Sequence, residues 1–323
     1  MEVLCRVHAV SICGTDSHLI AGHYPGFWPP SYPIIPGHEW AGEIVAMGPG
    51  AEQAGWSIGD RVAGTSHDAC GVCQACVEGR YNLCQNYGVM ELHRQYGHNY
   101  TGADAEYVVH GVKTIFPLPD DISYEVGAVI DPASIALHCA RRGNVQPGDD
   151  VVITGAGPVG LLGADAAHAL GAGQVIVVGR GLRLQKAIEM GFQTVDSNAV
   201  DVVETVREMT GGLGPAVVLE AAGTPTTITW ALKMLRKGGR IATVGIPTEG
   251  LQIDMRDLVL YELELAGSRA SAGEMRRVMP LVADGRIRLK DIMTHEFSLA
   301  DFAEALATFR DKESGAIKIT IKP

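Results

Sequence analysis

The chain has 323 residues, with 46% hydrophobic and 20% charged residues and a formal net charge of -11. This length allows about two domains, each with a hydrophobic core. The acidic balance argues against a nucleic-acid-binding surface, no apolar run is long enough to span a bilayer, and the first residues lack a secretory signal pattern. We therefore expect a globular cytoplasmic protein with no nucleic-acid or membrane partner.

The first predicted strand, Val3–Val10, leads into a short polar segment that carries reactive side chains. Four of them lie within six residues: Cys13, Thr15, Asp16 and His18. A cysteine thiolate is a good zinc ligand, and Asp16 could orient a metal-binding histidine. Thr15 and His18 could pass a proton. The alternative is an ordinary polar turn that contains a buried cysteine.

A second set of ligand-type side chains ends the segment His23–Pro36, which is rich in proline and aromatic residues. His38 and Glu39 are adjacent, so on a regular strand their side chains would point to opposite faces. Both can reach one metal only where the backbone bends, which Gly37 allows. A Cys and a His underfill a zinc site, so a further ligand is needed. The alternative is a single histidine in a turn.

Short strands with glycine corners continue this half of the chain. They are predicted at Glu43–Gly48, Asp60–Ala63 and Ala105–His110, and they favour a small β-barrel-like domain.

The most specific pattern in the chain is C-x2-C-x2-C-x7-C, formed by Cys70, Cys73, Cys76 and Cys84. In a chain of this size and compartment such crowding favours metal over disulfides. Four thiolates form a closed tetrahedral zinc site, which is structural rather than catalytic. An iron–sulfur cluster is the alternative, but its usual C-x3-C-P ending is absent here, because Gln85 follows Cys84.

Several histidine and aromatic residues of this half have less specific patterns. The histidines at irregular spacing are interpreted as loop or solvent residues, and the first two could line a substrate site: His93, His98 and His110. Three aromatic residues suggest contacts with an apolar or polyol substrate: Tyr24, Trp28 and Trp40.

Residues 123–143 are predicted to be helical, with a break at Val129–Pro132. Asp131 followed by Pro132 is a good helix start, with Asp131 as the N-cap. Because a zinc held by Cys13 and His38 needs another donor, Asp131 is also the candidate for the missing ligand.

A buried apolar strand, Val151–Thr154, then runs into a G-x-G-x-x-G turn and the predicted helix Leu161–Leu170. The turn consists of Gly155, Ala156, Gly157, Pro158, Val159 and Gly160, and it matches the dinucleotide-binding pattern. The glycines permit a tight turn and close approach to a pyrophosphate, which the N–H groups at the helix start attract. Strands and helices alternate through this half, which predicts a parallel sheet with right-handed crossovers.

The end of the second strand of this sheet normally carries an acid that binds the ribose 2′-hydroxyl of NAD. Here the residues are Gly179 and Arg180, with Arg183 close behind. Glycine leaves room, and arginine can pair with a 2′-phosphate. The sequence therefore predicts a preference for NADP over NAD. The alternative is that both arginines are solvated and NAD binds through other contacts.

Taken together, these motifs resemble the zinc-dependent medium-chain dehydrogenases, the family of alcohol, sorbitol-like polyol and threonine dehydrogenases. The resemblance covers nearly the whole chain and rests on the order and spacing of Cys13–Asp16, Gly37–Glu39, the four cysteines, Asp131–Pro132 and Gly155–Gly160. It implies an α/β protein with a GroES-like β-barrel catalytic domain over residues 1–133 and 268–323 and a zinc lobe at about 66–90. A Rossmann domain with a parallel six-stranded sheet is implied over residues 134–267.

The resemblance also implies roles for individual residues and two zinc ions per chain. The catalytic zinc would be bound by Cys13, His38 and Asp131, with Glu39 as a fourth or exchanging ligand. The structural zinc would be bound by Cys70, Cys73, Cys76 and Cys84. Thr15 and His18 would form the proton relay, and the nicotinamide would lie near Val244, Gly245 and Ile246. Polyol and threonine members usually have Glu at the position of Asp131, so the geometry of ligation could differ here.

The expected activity is hydride transfer between a primary or secondary alcohol or polyol and NAD(P), in a homodimer or homotetramer. Oxidation of an amino alcohol, as in L-threonine 3-dehydrogenases, is the alternative within the family. Two alternatives come from other classes. One is a zinc hydrolase, and the other is a non-catalytic dinucleotide-binding protein that retains only the four-cysteine zinc.

Overall fold

A computed structural model describes residues 1–23, 28–29, 31–247 and 249–323. They pack into two compact units. Unit 1 consists of Met1–Asp131, Ser271–Met279 and Met293–Pro323, and unit 2 consists of Pro132–Ala270 and Pro280–Ile292.

The elements are numbered in chain order. The first stretch contains β1 (Glu2–Ser11), α1 (Gly14–Ile20), β2 (Glu39–Met47), β3 (Arg61–Gly64), β4 (His67–Asp68), α2 (Gln74–Val77), β5 (Arg94–Gln95), β6 (Tyr107–Gly111), β7 (Ile115–Pro117), α3 (Tyr124–Ala128) and α4 (Ile130–Arg142). The middle of the chain contains β8 (Asp150–Thr154), α5 (Pro158–Ala169), β9 (Gln174–Gly179), α6 (Gly181–Glu189), β10 (Gln193–Asp196), α7 (Val202–Met209), β11 (Val217–Glu220), α8 (Pro225–Met234), β12 (Arg240–Thr243), α9 (Met255–Leu260) and β13 (Glu264–Gly267). The last stretch contains α10 (Glu274–Ala283), α11 (Leu289–Ile292), β14 (Met293–Ser298), α12 (Phe302–Arg310) and β15 (Lys318–Lys322), and short 3-10 helices occur at Glu52–Ala54, Tyr81–Leu83, Val112–Thr114 and Leu299–Asp301.

Unit 1 is built on a seven-stranded sheet in the order β14-β15-β1-β2-β3-β7, with β6 paired to β1. All of its pairings are antiparallel except that of β14 with β15. Alternate residues of β1 and β2 turn inward and form the core. Among the core residues, Trp40 and Ile44 of β2 and Val62 of β3 are fully buried. This sheet holds the two segments that the sequence marked as metal-binding.

Unit 2 is a doubly wound parallel sheet in the order β10-β9-β8-β11-β12-β13. Its central strands are apolar on both faces because helices cover both sides. Val152, Ile176, Val218 and Ile241 are therefore completely buried. The six-stranded parallel sheet is the one that the family resemblance implied.

The segment Pro280–Ile292 lies in unit 2, whereas the sequence-based division assigned it to the first domain. The physical reason is an ion pair between a half-buried arginine and a buried carboxylate. The guanidinium of Arg288 donates to Asp165 Oδ1 from Nη2 at 2.6 Å, and its backbone N–H donates to Oδ2 at 2.8 Å. Nη1 of Arg288 also donates to the carbonyl of Met190 at 2.7 Å, which ties the segment to a second point of the same unit.

The alternative of an ordinary polar turn after β1 is wrong, because this segment forms the helix α1, with Asp16 in its capping box. One local prediction also differs from the structure. Helix α4 begins at Ile130, so Asp131 lies in its first turn and is not its N-cap. In the part of the chain that the structure describes, no helix is both long and apolar enough to cross a bilayer.

Candidate metal centres and cofactor turn

Asp16 connects the start of helix α1 to His38. Its carboxylate accepts a hydrogen bond from the backbone N–H of Cys13, the N-cap residue, at 2.8 Å. Its other oxygen, Oδ1, lies 3.4 Å from Nδ1 of His38, and both side chains are buried. One carboxylate therefore fixes the backbone of Cys13 and the orientation of the His38 ring.

The ligand atoms of Cys13, His38 and Glu39 all lie within 4.8 Å of one another. The bend that brings the two adjacent residues together is at Gly37, which has a φ of +89°. A Cβ at this glycine would lie 2.5 Å from Oδ1 of Asp104, so neither the conformation nor the space admits a side chain. The structure thus provides sulfur, nitrogen and oxygen donors at one buried point.

The anionic groups around His38 favour a positive charge in this cluster. Burial lowers the pKa of His38, but the neighbouring Asp16 and Cys13 outweigh it and hold the pKa well above its ordinary value. Burial likewise raises the pKa of Asp16, yet the facing His38 imidazole brings it below its usual range. A divalent cation among these donors would satisfy the same anionic surroundings. The donor set and its charge therefore fit zinc.

Asp131 lies near this cluster but not within the 4.8 Å group. Its Oδ1 accepts a hydrogen bond from the hydroxyl of Thr65 at 2.8 Å. Burial raises the pKa of Asp131 to about 6, and His38 opposes the shift, which places the two groups in electrostatic reach. The structure thus brings together Cys13, His38 and Glu39 and leaves the shorter Asp131 side chain on Thr65.

A feature that the sequence did not reveal is the buried lysine behind Glu39. The ammonium group of Lys318 pairs with the Glu39 carboxylate and donates to the carbonyl of Ile12 at 3.0 Å. The hydroxyl of Ser11 donates to the same carboxylate. Lys318 is the first residue of strand β15, in which polar and apolar residues alternate. This period-two pattern assigns Lys318 to the polar face and so did not predict that it would be buried.

The two residues predicted to move a proton share one helix. Thr15 and His18 lie three positions apart on α1, which puts them on neighbouring parts of its surface. Thr15 Oγ1 is 3.8 Å from the sulfur of Cys13. Nδ1 of His18 lies 2.9 Å from Nδ1 of His23 near the surface. Burial, followed by His23 and Arg310, lowers the pKa of His18, so it is mostly neutral at pH 7.

The four cysteines of the lobe also form one group, with all sulfurs within 4.8 Å of one another. The sulfur of Cys70 lies 3.9 Å from that of Cys76, and Cys73 lies 3.9 Å from Cys84. These distances are too long for disulfides, and they match the spacing of about 3.8 Å that a Zn–S bond of about 2.3 Å imposes on a tetrahedron.

The charge state of these thiols also calls for a metal. Backbone N–H groups of Val72 and Cys73 lower the pKa of Cys70 to about 6. Burial raises that of Cys76 to about 12, so it would keep its proton without a cation beside it. Only a bound cation would hold all four as thiolates, which fits the structural zinc expected here.

His93 and His98 lie in loops and His110 lies on β6, but none of the three is a solvent residue. His93, His98 and His110 have exposures of 1%, 5% and 0%. His93 Nε2 lies 3.2 Å from Nδ1 of His67, and His110 stacks on Tyr96 with ring centres 3.7 Å apart. Irregular spacing could not reveal this, because the aromatic partners come from other segments.

His98 lies beside the ligand cluster, with its ring centre 4.4 Å from that of His38 and 4.9 Å from that of Trp28. Trp40 is completely buried in the core, where its indole N–H donates to His110 Nε2 at 3.2 Å. It is therefore not available for the substrate contact suggested by the sequence. Tyr24 lies outside the described residues.

In unit 2 the three glycines of the turn lie in different steric surroundings. Gly155 has a φ of +110°, which favours glycine. A Cβ at Gly160 would lie 1.8 Å from the carbonyl oxygen of Gly155, so helix α5 could not pack as closely. A Cβ at Gly157, the N-cap of α5, would meet only Nη1 of Arg183 at 4.0 Å. The turn is therefore tight at both ends and open in the middle, where a pyrophosphate would bind.

The predicted ribose-reading position follows β9. A Cβ at Gly179 would lie 2.7 Å from that of Ala156, so glycine is required there by packing against the turn. Arg180 is exposed, whereas Arg183 is half-buried, and burial lowers its pKa. The turn thus has two arginines on one side and no carboxylate at the end of β9.

The predicted nicotinamide residues follow β12 on the other side of β8. A Cβ at Gly245 would lie 2.2 Å from the backbone nitrogen of Gly223, so the loops that follow β11 and β12 touch. The side chain of Ile246 is 61% exposed. Val244 is tied back to β11, since its N–H donates to the carbonyl of Glu220 at 2.9 Å.

Two family profiles match the chain. Residues 1–120 match the alcohol dehydrogenase GroES-like domain, and residues 158–284 match the zinc-binding dehydrogenases. The sorbitol dehydrogenase of Bacillus subtilis (strain 168) is 34% identical over 325 residues, which cover 100% of this chain and 90% of the relative. An L-threonine 3-dehydrogenase of Idiomarina loihiensis is 35% identical over 321 residues, which cover 98% and 91%.

Solved structures give the same picture. A zinc-binding dehydrogenase from Sinorhizobium meliloti 1021, described from its structure bound to NADP, superposes with a TM-score of 0.90 at 31% identity and covers 100% of this chain and 92% of that one. A protein from Escherichia coli CFT073 described as a short chain alcohol dehydrogenase, complexed with NADH, has a TM-score of 0.91 at 28% identity over the same shares.

Proposed function

Because this chain belongs to the zinc-dependent medium-chain dehydrogenases, we propose that it oxidises the hydroxyl group of a polyol or a related alcohol with NADP as the hydride acceptor. The observation that carries this proposal is the cluster of half-buried Cys13 with buried His38 and Glu39, with Asp16 beside the ring of His38. Family membership makes the chain an NAD(P)-dependent oxidoreductase. It leaves the hydrolase and the non-catalytic alternatives without support.

We assign two zinc ions to each chain. Cys13 and His38, with Glu39 as an exchanging ligand, would hold the catalytic ion, and Asp131 would join them only by leaving Thr65. Cys70, Cys73, Cys76 and Cys84 would hold the structural ion. The 4.8 Å grouping of each donor set supports this assignment.

When bound, zinc would act as a Lewis acid on the substrate oxygen and the nicotinamide would accept the hydride. The side chains of α1 perform the proton chemistry. Thr15 Oγ1, which lies 3.8 Å from the sulfur of a zinc ligand, would accept the hydroxyl proton of the substrate while its own proton is passed on towards His18. His18, mostly neutral and partly exposed, would deliver a proton to solvent.

The catalytic site is tested by measuring zinc content and kcat in variants of its ligands. Cys13→Ser and His38→Ala should each remove one zinc per chain and lower kcat by at least about a thousandfold, while the circular dichroism spectrum stays unchanged. Cys5→Ala serves as the control, because Cys5 lies in the core of unit 1 and belongs to neither donor set. Full turnover in both site variants would contradict the proposal.

The preference for NADP rests on Gly179 and the two arginines behind it. Arg180 is exposed and Arg183 is close to Gly157, so both could meet a 2′-phosphate. Arg180→Ala and Arg183→Ala should raise KM for NADP about tenfold and leave KM for NAD nearly unchanged. Higher kcat/KM of the unmodified protein with NAD would contradict this preference.

The substrate is proposed to be a polyol, with an amino alcohol as the second candidate. Sorbitol and L-threonine dehydrogenases match the chain almost equally well, at 34% and 35% identity. Absorbance at the nicotinamide band, measured against sorbitol, short diols, primary alcohols and L-threonine, would separate them. A kcat/KM for L-threonine above that of every polyol would replace the first candidate by the second.

We also propose a homodimer formed through the outer strand of the unit 2 sheet. Strand β13 is an edge strand, and the side chain of Leu265 on it is 40% exposed. The helix before it adds Val259 and Leu260 at 70% and 72% exposure. An exposed apolar edge strand of this kind favours pairing with another copy. Light scattering of Leu265→Lys should give a monomer where the unmodified chain gives a dimer or tetramer.

A further inference from the structure

The carboxylate of Glu220 lies at the end of β11 and is completely buried. Its Oε1 accepts hydrogen bonds from the backbone N–H groups of Ala222 at 2.9 Å and Gly223 at 2.8 Å, and from the hydroxyl of Thr227 at 2.9 Å. Its Oε2 accepts one from the hydroxyl of Thr243 at 2.8 Å. Four donors from different parts of the unit therefore converge on one side chain, which as a carboxylate only accepts.

These bonds fix two loops at the carboxyl edge of the sheet. The loop from Ala221 to Thr224 follows β11, and Thr243 ends β12, just before the loop Val244–Ile246. The main chain adds to the same link, since the carbonyl of Glu220 accepts from the N–H of Val244 at 2.9 Å. Glu220 thus joins both loops from below, through its side chain and its backbone.

The first loop also touches the glycine turn. A Cβ at Gly155 would lie 3.0 Å from the backbone nitrogen of Ala222, and one at Gly223 would lie 2.9 Å from that of Ile246. Gly223 has a φ of +67°, so its conformation as well as its contacts favour glycine. The loop after β11 is therefore packed closely between the pyrophosphate turn and the loop after β12.

In a doubly wound sheet the dinucleotide lies across the carboxyl edge at the point where the strand order reverses. Here that point is β8, with β9 on the side of Arg180 and β11 and β12 on the other. The adenosine half belongs on the β9 side, so the nicotinamide half belongs over the loops that Glu220 holds.

We propose that Glu220 is a positioning residue, which shapes the backbone that receives the nicotinamide half of the cofactor without touching the cofactor. This inference rests on the proposed function. It predicts a selective effect, because Glu220 has no contact with the adenosine side. Weakening its bonds should reduce affinity for the whole dinucleotide and spare affinity for the adenosine fragment.

The test compares two ligands on the intact chain. NADPH and NADH are titrated first by fluorescence, and the tighter of the two is used together with its own fragment, 2′,5′-ADP or 5′-ADP. Glu220→Gln and Thr243→Val should each raise Kd for the dinucleotide about tenfold, as expected for a lost hydrogen bond, and change Kd for the fragment less than about twofold.

Thr229→Val is the matched control, because its hydroxyl donates only within α8, to the carbonyl of Pro225 at 2.7 Å. It should alter neither Kd. Equal loss of both ligands, or no change in either, in Thr243→Val would overturn the inference even if Glu220→Gln failed to fold. A wild-type chain that binds neither dinucleotide would instead contradict the proposed function itself.

Discussion

The ammonium group of Lys318 is paired with the carboxylate of Glu39, and the side-chain exposures are 2% and 1%. Burial lowers the pKa of Lys318, but Glu39 and Cys13 outweigh it and raise the pKa, so the lysine stays charged. The pair places a fixed positive charge directly behind a candidate zinc ligand. It competes with the metal for the same carboxylate.

Removing either partner alone should be costly, because it leaves an uncompensated buried charge. We expect Lys318→Met and Glu39→Gln each to lower the free energy of unfolding by about 3 kcal/mol or more. The double variant should be less destabilised than the sum of the two, since it buries no charge. Urea titration of the four proteins measures this cycle. Additive losses would show that the pair contributes no coupling.

The four-cysteine lobe should depend on its metal. Cys73→Ser should reduce the zinc content by one ion per chain and expose residues 70–84 to protease, because three thiolates no longer close the site. Elemental analysis after gel filtration gives the ion and its amount, with Cys139→Ala as the control outside the lobe. Finding iron in place of zinc would favour the iron–sulfur alternative.

His110 should make the protein sensitive to mild acid. Burial lowers its pKa to about 3, whereas in the unfolded chain it titrates near 6.5. Below pH 6.5 the unfolded state binds a proton that the folded state does not, so stability falls as the pH drops from 6.5 towards 3. At pH 5 this loss is about 2 kcal/mol relative to pH 8.

A variant isolates this contribution. His110→Gln cannot take up the proton, so its free energy of unfolding should change about 2 kcal/mol less between pH 8 and pH 5 than that of the unmodified chain. Denaturant titrations at the two pH values measure the difference. Identical pH dependence in both proteins would mean that His110 has the same pKa in the folded and unfolded states.

The pair of Arg288 with Asp165 should hold the segment Pro280–Ile292 in unit 2. Asp165 is 1% exposed, so Arg288→Met leaves a buried carboxylate and should cost about 3 kcal/mol or more. Hydrogen exchange of the segment should accelerate. Arg286→Gln is the control, since its partner Asp284 is on the surface and the pair contributes less than about 1 kcal/mol. Equal exchange in both variants would count against the role of Arg288.

Features that depend on local spacing were predictable from the sequence. Gly155, Gly157 and Gly160 were correctly identified as a strand-to-helix turn, because the positive φ of Gly155 and the close approach of Gly160 to the Gly155 carbonyl arise within a few residues. The spacing of Cys70 and its three partners indicated one group, since a short loop can hardly separate them. Strand alternation similarly predicted the parallel sheet of unit 2.

Features that depend on long-range packing were not predictable. Lys318 sits in an ordinary alternating strand, and only the fold brings it to Glu39. His98 was a candidate for lining a substrate site, but its spacing did not indicate that its ring would lie beside that of His38. Asp131 had two plausible uses, as a helix cap and as a zinc ligand, and the structure shows its carboxylate on Thr65. A sequence pattern can indicate a candidate residue, but the residues that it contacts depend on the fold.

Asp16 caps helix α1 and orients His38 with the same carboxylate. The formation of the seven-residue helix α1 and the orientation of the His38 ring are therefore coupled. Fraying of the first turn would therefore loosen the His38 ring, and an ion bound at His38 would favour the wound turn. The metal affinity of this site would thus depend on the stability of helix α1. A substitution in α1 that touches no ligand would therefore change the zinc occupancy.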